Sequence, residues 1–238
     1  MKKTIFFLFL SLLFSCSVKS IILSETERKG VDDIVNFYGG YCESTIGKSV
    51  ANGEASITYF EVKLKESEGV EQFKKDSKFA SSNMAYRLYR NLTEEEKAKY
   101  TEIRTAIVFE NGITKEYTFK PEELAVVDNK SKTVDLVVDY IKDKNFNKLS
   151  SLLNDSSAIQ YDKAELIHQI ETGETTFGKI TEEGFRIFGY RKVKFNRKFK
   201  KYLMISGVIV RDGKSNEFSV VMDPKLETNE VLGLEYKM

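Results

Sequence analysis

Residues 133–149, TVDLVVDYIKDKNFNKL, set the architecture of the chain. Val134, Val137, Val138 and Ile141 fall at i, i+3, i+4 and i+7, one apolar stripe of a helix, and Thr133 stands where an N-cap belongs. A turn around Asp143 to Asn145 follows, and Phe146, Leu149 and Leu153 mark a second, short helix. Asp162, with Glu165 three residues later, opens a third helix through Leu166, Ile167 and Ile170, and Gly173 is expected to close it. The rhythm then changes to strands over Phe185–Phe195, Tyr202–Val210, Glu217–Met222 and Val231–Tyr236, with turn residues at Asp212-Gly213 and Asp223-Pro224. Helices followed by strands predict an α+β unit, a curved antiparallel sheet with helices on one face. Its expected core is Val134, Val137, Val138, Ile141, Leu149, Leu153, Leu166, Ile170, Phe185, Leu203, Ile205 and Phe218.

Upstream, the region from Val31 to Val127 reads as a second mixture of helix and strand. Val31, Ile34, Val35 and Tyr38 give a helix ended by Gly39-Gly40. Ser56–Leu64 alternates as a strand, and Ala85, Leu88, Tyr89 and Leu92 mark an amphipathic helix. Thr93-Glu94-Glu95-Glu96 is a capping box. Ile103–Phe109 and Ile113–Phe119 flank Asn111-Gly112, which predicts a β-hairpin on a type I′ turn. Lys120-Pro121-Glu122-Glu123 is a helix start, and polar Asp128–Lys132 is a candidate boundary. The length of 238 residues fits two units, 31–130 and 131–238, although a loop within one larger domain fits the same residues.

The N-terminus carries an address. Lys2 and Lys3 precede an apolar run, Ile5–Phe14, too short to span a bilayer, and small residues follow at Ser15, Cys16 and Ser17. That is the layout of a signal peptide over 1–15. Leu13-Phe14-Ser15-Cys16 resembles the lipobox of bacterial lipoproteins, with Phe14 departing from the small or β-branched residue usual there. The resemblance implies lipidation at Cys16, a protein exported to the cell envelope and held on the membrane, and a polar tether over 16–30. Such a tether reaches at most about 45 Å at ~3.3 Å per residue. Ser17-Val18-Lys19-Ser20 is not an acidic cluster, so a periplasm-facing anchor is expected.

The second unit resembles the cystatin-like/NTF2-like superfamily of small envelope domains. The likeness rests on Val134–Ile141, Asn145–Leu149, Phe177-Gly178-Lys179-Ile180 and the Phe218–Tyr236 stretch, and covers about 133–238. It implies a sheet wrapped round helices as a cone whose mouth holds a ligand or is filled by side chains. It assigns no chemistry, because such folds host enzymes, binders and scaffolds alike.

Composition narrows the rest. Thirty-seven basic and 36 acidic residues leave a net charge of +1, and losing Lys2 and Lys3 with the leader takes it to −1, neither value marking a nucleic-acid binder. One histidine, His168, and two cysteines supply no ligand set for a metal, and no cofactor motif stands out. After lipidation of Cys16, Cys42 has no disulfide partner. Cys42 with His168 is the one Cys/His pair, and Glu61, Glu110 and Asp139 are carboxylates able to face a cleft. The densest charge feature is Arg191, Lys192, Lys194, Arg197, Lys198, Lys200 and Lys201, read as contact with a partner or anionic lipid, or as a solvated strand edge that discourages aggregation. The sequence therefore predicts a non-enzymatic envelope lipoprotein that binds an envelope protein or a small apolar ligand. The competing expectations are an exported hydrolase using carboxylates or Cys42, and an assembly factor of an envelope complex.

Overall fold

A computed structural model describes residues 22–50, 55–154, 161–194, 200–225, 227 and 229–237. The leader, Cys16, Arg197 and Lys198 lie outside the described residues. Among those described, the chain runs α1 (Glu25–Tyr38), β1 (Tyr41–Ser49), β2 (Ile57–Lys65), α2 (Glu68–Glu71), a 3-10 turn at Lys74–Asp76, α3 (Ser77–Asn91), α4 (Glu94–Lys99), β3 (Glu102–Val108) and β4 (Thr114–Phe119). It continues with α5 (Pro121–Lys142), α6 (Phe146–Leu152), α7 (Lys163–Phe177), β5 (Ile180–Val193), β6 (Tyr202–Arg211), β7 (Asn216–Met222) and β8 (Val231–Tyr236). The result is a mixed α+β molecule with two open four-stranded sheets, β1-β2-β3-β4 and β5-β6-β7-β8.

The second sheet is the antiparallel meander expected from the sequence, registered through Leu203↔Met222, Ile205↔Val220 and Val220↔Leu234. Of the expected core, Val134, Val137, Val138, Ile141, Leu149, Leu153, Ile170, Leu203, Ile205 and Phe218 are buried. Leu166 and Phe185 are only half-buried, packed against the core's margin.

The first sheet is mixed. Antiparallel pairs β1–β2 and β3–β4 are joined by a parallel β2–β3 pair, which demands a long crossover, here α2 to α4. Phe60, Val62 and Leu64 on β2 lie in register with Ile103, Thr105 and Ile107 on β3, and this inner face packs on α3. β1 is not anticipated in the sequence because its inner face, Cys42, Ser44, Ile46 and Lys48, alternates in position without alternating in polarity.

Helix α3 lies between the sheets. The sequence predicts an amphipathic helix, yet Ser77 and every residue from Phe79 to Tyr89 are buried. Its polar positions bind the layers it touches. Ser82 Oγ accepts from Tyr190 N at 3.0 Å, and its one proton has Phe79 O at 2.7 Å and Tyr190 O at 3.0 Å within reach. One side chain thus occupies an outward-facing amide of an edge strand and covers that edge.

Four other expectations change. Asp128–Lys132 is not a turn, because α5 runs unbroken for 22 residues through it and contributes Leu124, Val127, Val134 and Val137 to one continuous core that takes in residues of both sheets. Lys130 and Ser131 are themselves buried in this stretch, so polarity in the sequence marks neither a break nor a wet face. The segment 16–30 is not all tether: α1 starts at Glu25 under a capping box in which Ser24 accepts from Glu27 N and Glu27 from Ser24 N. The hairpin after β3 closes on a three-residue loop, not a type I′ turn. Gly112 N donates to Phe109 O at 2.8 Å, Gly112 alone in the loop takes positive φ (79°), and Phe109 N meets Ile113 O at 3.0 Å. Gly173 does not close α7, which runs to Phe177; a Cβ there would stand 2.7 Å from the Tyr236 ring, so the glycine serves close packing.

Candidate binding cleft

A cleft of about 890 Å³ opens between α1, α2, α3, α5 and the start of β5. That volume lies in the range of small-molecule sites. β5 departs from its ladder between Ile180 and Phe185, and this irregularity brings Glu182, Glu183 and Gly184 into the cleft wall.

One wall is built on arginine. Arg87 comes from the buried helix α3 and is only 7% exposed. Its Nη1 donates to Asp33 Oδ1 at 2.6 Å, and its guanidinium carbon lies 3.8 Å over the Phe37 ring, both partners supplied by α1. Its Nε is buried with no partner among the described residues. Burial holds the guanidinium below the ordinary arginine pKa, with the Asp33 charge pulling it back. Arg90, one turn on, grips Asp33 Oδ2 through Nη2 at 2.7 Å and Nε at 3.1 Å. Two guanidinium groups thus share one carboxylate, leaving this wall with a surplus positive charge.

A second part of the lining is acidic. Asp135 and Asp139 stand four residues apart on α5, on one face, and both line the cleft. Neither makes a salt bridge among the described residues. Partial burial and then the charge of Asp139 raise the Asp135 carboxyl above its ordinary value, while Arg90 opposes them. The other charges here are spent internally: Arg186 binds Glu183 at 2.6 and 2.7 Å, and Lys142 meets Glu182 at 3.2 Å. The floor is aromatic, with Phe37 and Phe188 edge to face at 5.8 Å. Behind it, Tyr38 donates to Ala80 O and accepts from Asn83, and burial pushes its phenol up to about 12.

The residues singled out from sequence are placed elsewhere, with one exception. Asp139 lines the cleft, whereas Glu61 sits on β2 and Glu110 in the exposed hairpin loop. Cys42 is on the inner face of β1 opposite Leu64, and burial followed by the charge of Asp32 pushes its thiol up to about 12. That is the reverse of an activated nucleophile. His168 is exposed on α7. Within the basic run, Arg191 meets Asp76 at 3.3 Å and Phe79 at 4.9 Å, Lys192 meets Glu123 at 3.0 Å, and Lys200 meets Asp223 at 2.5 Å. Lys194 and Lys201 are exposed, and no described member of the run lines the cleft.

Asp33, Arg87, Arg90 and Asp135 are not among the residues singled out from sequence. The signal present was spacing: Arg87 and Arg90 at i, i+3 and Asp135 and Asp139 at i, i+4 place like charges side by side on two helices. Among the described residues, no group of three or more His, Cys, Asp or Glu is arranged to hold a metal, and no helix is long and apolar enough to cross a membrane. No family model matches the chain, and no curated protein or solved structure matches it.

Proposed function

We propose that the chain is an exported envelope lipoprotein, anchored through Cys16 and facing the periplasm, that binds a small ligand in the cleft and performs no chemistry on it. The observation that carries this reading is the cleft itself, with a deeply buried arginine at its wall that donates to Asp33 and whose Nε has no partner among the described residues. The lining is rich in charged and polar groups, which favours a polar ligand over the apolar one expected from sequence. Three helices followed by an antiparallel meander support placing 121–237 with the cystatin-like/NTF2-like domains. Because α1 begins at Glu25, Ser17–Ser24 is all that separates the anchor from the folded body, an extended reach of about 26 Å at ~3.3 Å per residue. The binding site would therefore work close to the membrane surface.

The test is a native mass spectrum of full-length protein extracted from the envelope, before and after denaturation, beside Asn36→Trp. Asn36 is an exposed residue of α1 that lines the cleft, so the indole fills the cleft without entering the core. The expected covalent mass begins at Cys16 with acyl chains, and a second mass leaves on denaturation and is missing from the variant. Ordinary cleavage without lipid overturns the anchor. A bound mass that Asn36→Trp retains overturns the cleft.

A further inference from the structure

We infer that the cleft's ligand is a zwitterion of the free amino-acid or short-peptide class, its carboxylate held by Arg87 and Arg90 and its ammonium group by Asp135 and Asp139. The inference rests on the cleft being the binding site and specifies what enters it.

The first argument is a comparison of two buried arginines in the same molecule. Arg211 is 5% exposed and fully engaged: Nε donates to Asn216 Oδ1 at 2.9 Å, Nη1 to Glu174 Oε2 and Gly178 O, and Nη2 to Glu174 Oε1 and Tyr236 OH. That is the full complement of five donors, as expected of a guanidinium placed for structure. Arg87 is buried to the same depth, yet the one hydrogen bond it makes among the described residues runs from Nη1 to Asp33. Leaving donors of a buried cation unused is costly, and such a group persists where a ligand completes it. The stack on Phe37 and the bond to Asp33 hold the guanidinium in one orientation, which suits recognition of a planar carboxylate.

The second argument is the acidic part of the lining. Asp135 and Asp139 repel each other at helical spacing and make no salt bridge among the described residues, although Lys142 lies on the same helix one turn beyond Asp139 and is committed to Glu182. Arg90, whose charge reaches Asp135, is hydrogen-bonded to Asp33. A bound ammonium group would relieve that repulsion, while a purely anionic ligand would add to it. A purely cationic ligand would leave the arginine wall unsatisfied. The Phe37–Phe188 pair belongs to the same lining and offers an apolar surface for the stem or side chain between the termini.

The experiment is calorimetric titration of the full-length, detergent-solubilised lipoprotein with glycine, alanine, Ala-Ala and Ala-Ala-Ala, and with N-acetylated and C-amidated Ala-Ala-Ala. At least one unblocked compound is expected to bind, and blocking either terminus is expected to weaken binding about tenfold or more. Free amino acids and peptides are separate arms, so the tighter series identifies the source. In Asp135→Asn/Asp139→Asn, acetylation is expected to lose its effect while amidation keeps it. Arg90→Gln, on a partly exposed side chain, is expected to do the converse, which avoids relying on the buried Arg87. Equal binding of blocked and unblocked peptides, or binding of none, overturns the assignment. If none binds while a native mass sensitive to Asn36→Trp persists, the ligand class is wrong and the cleft remains the site; loss of both removes the site as well.

Discussion

At the scale of single residues, Arg87 and Arg211 share depth and differ in use. The Arg211–Glu174 pair joins β6 to α7 with Tyr236 and Asn216 filling the remaining valences, so removing Glu174 strands a charge in the interior. Glu174→Ala is expected to cost about 3–5 kcal/mol, the usual price of an uncompensated buried ion, read as a drop in urea midpoint; a loss near zero would show the pair to be dispensable. Asp135 should behave in the opposite way. Its raised pKa means that the folded state disfavours the ionised carboxylate, so stability falls as pH rises through the titration. Asp135→Asn is therefore expected to be more stable than the parent at pH 7, and the gap should close toward acid pH, where the parent carboxyl is protonated in both states. A constant gap from pH 3 to pH 7 would exclude that cause. Cys42, with its thiol pushed up to about 12, should alkylate far more slowly in the folded protein than after denaturation at pH 8. Similar rates in both states would place the thiol in a different environment from the inner face of β1.

Elements show how far local signals carry. The capping boxes at Ser24/Glu27 and Thr93/Glu96 form as their sequences require, yet they also interlock. Ser24 Oγ donates to Glu96 Oε1 at 2.5 Å and Thr26 Oγ1 to Glu96 Oε2 at 2.6 Å, while Tyr100 OH donates to Glu27. The start of α1 is thereby tied to α4 across more than the length of a helix in sequence. Burial alone would raise the Glu96 carboxyl, but the hydrogen bonds from Ser24, Thr26 and Thr93 outweigh it and hold the pKa below the ordinary glutamate value. A depressed carboxylate contributes stability above its unfolded pKa and loses it as pH falls through the folded one. The difference in urea midpoint between wild type and Glu96→Gln is expected to be largest near pH 6 and to shrink below the usual carboxylate range; an unchanging difference would mean that the charge is not involved. Helix α3 makes the contrary point. Ala85, Leu88, Tyr89 and Leu92 give a true stripe, but the residues between them are buried too, because a second sheet covers the side that a lone helix would leave wet. Ser82→Ala should strand the amide of Tyr190 and cost about 1–3 kcal/mol.

Across the whole molecule, both sheets contribute to one core, and α3, packed on β3, β4 and β5, is the helix that joins them. What the sequence determined was local: the helices and meander of 133–236, the strand at 57–65, the hairpin pairing of β3 with β4, and the helix ends at Tyr38 and Thr93. Each depends on side-chain period and on backbone preferences within a few residues, which neighbours along the chain are enough to set. The tertiary structure decided the rest. β1 is a strand because β2 offers it a ladder, not because its own residues alternate in polarity. Asp128–Lys132 is helical because Leu124 and Val127 before it and Val134 and Val137 after it are buried in the same core. The cleft exists because Asp33 and Arg87 meet across 54 residues while Asp135 and Asp139 arrive from a third helix, so its charges become a site only when three segments are packed together. Periodicity reports which face of an element is apolar; which polar groups then stay unsatisfied is fixed by the neighbours that packing brings.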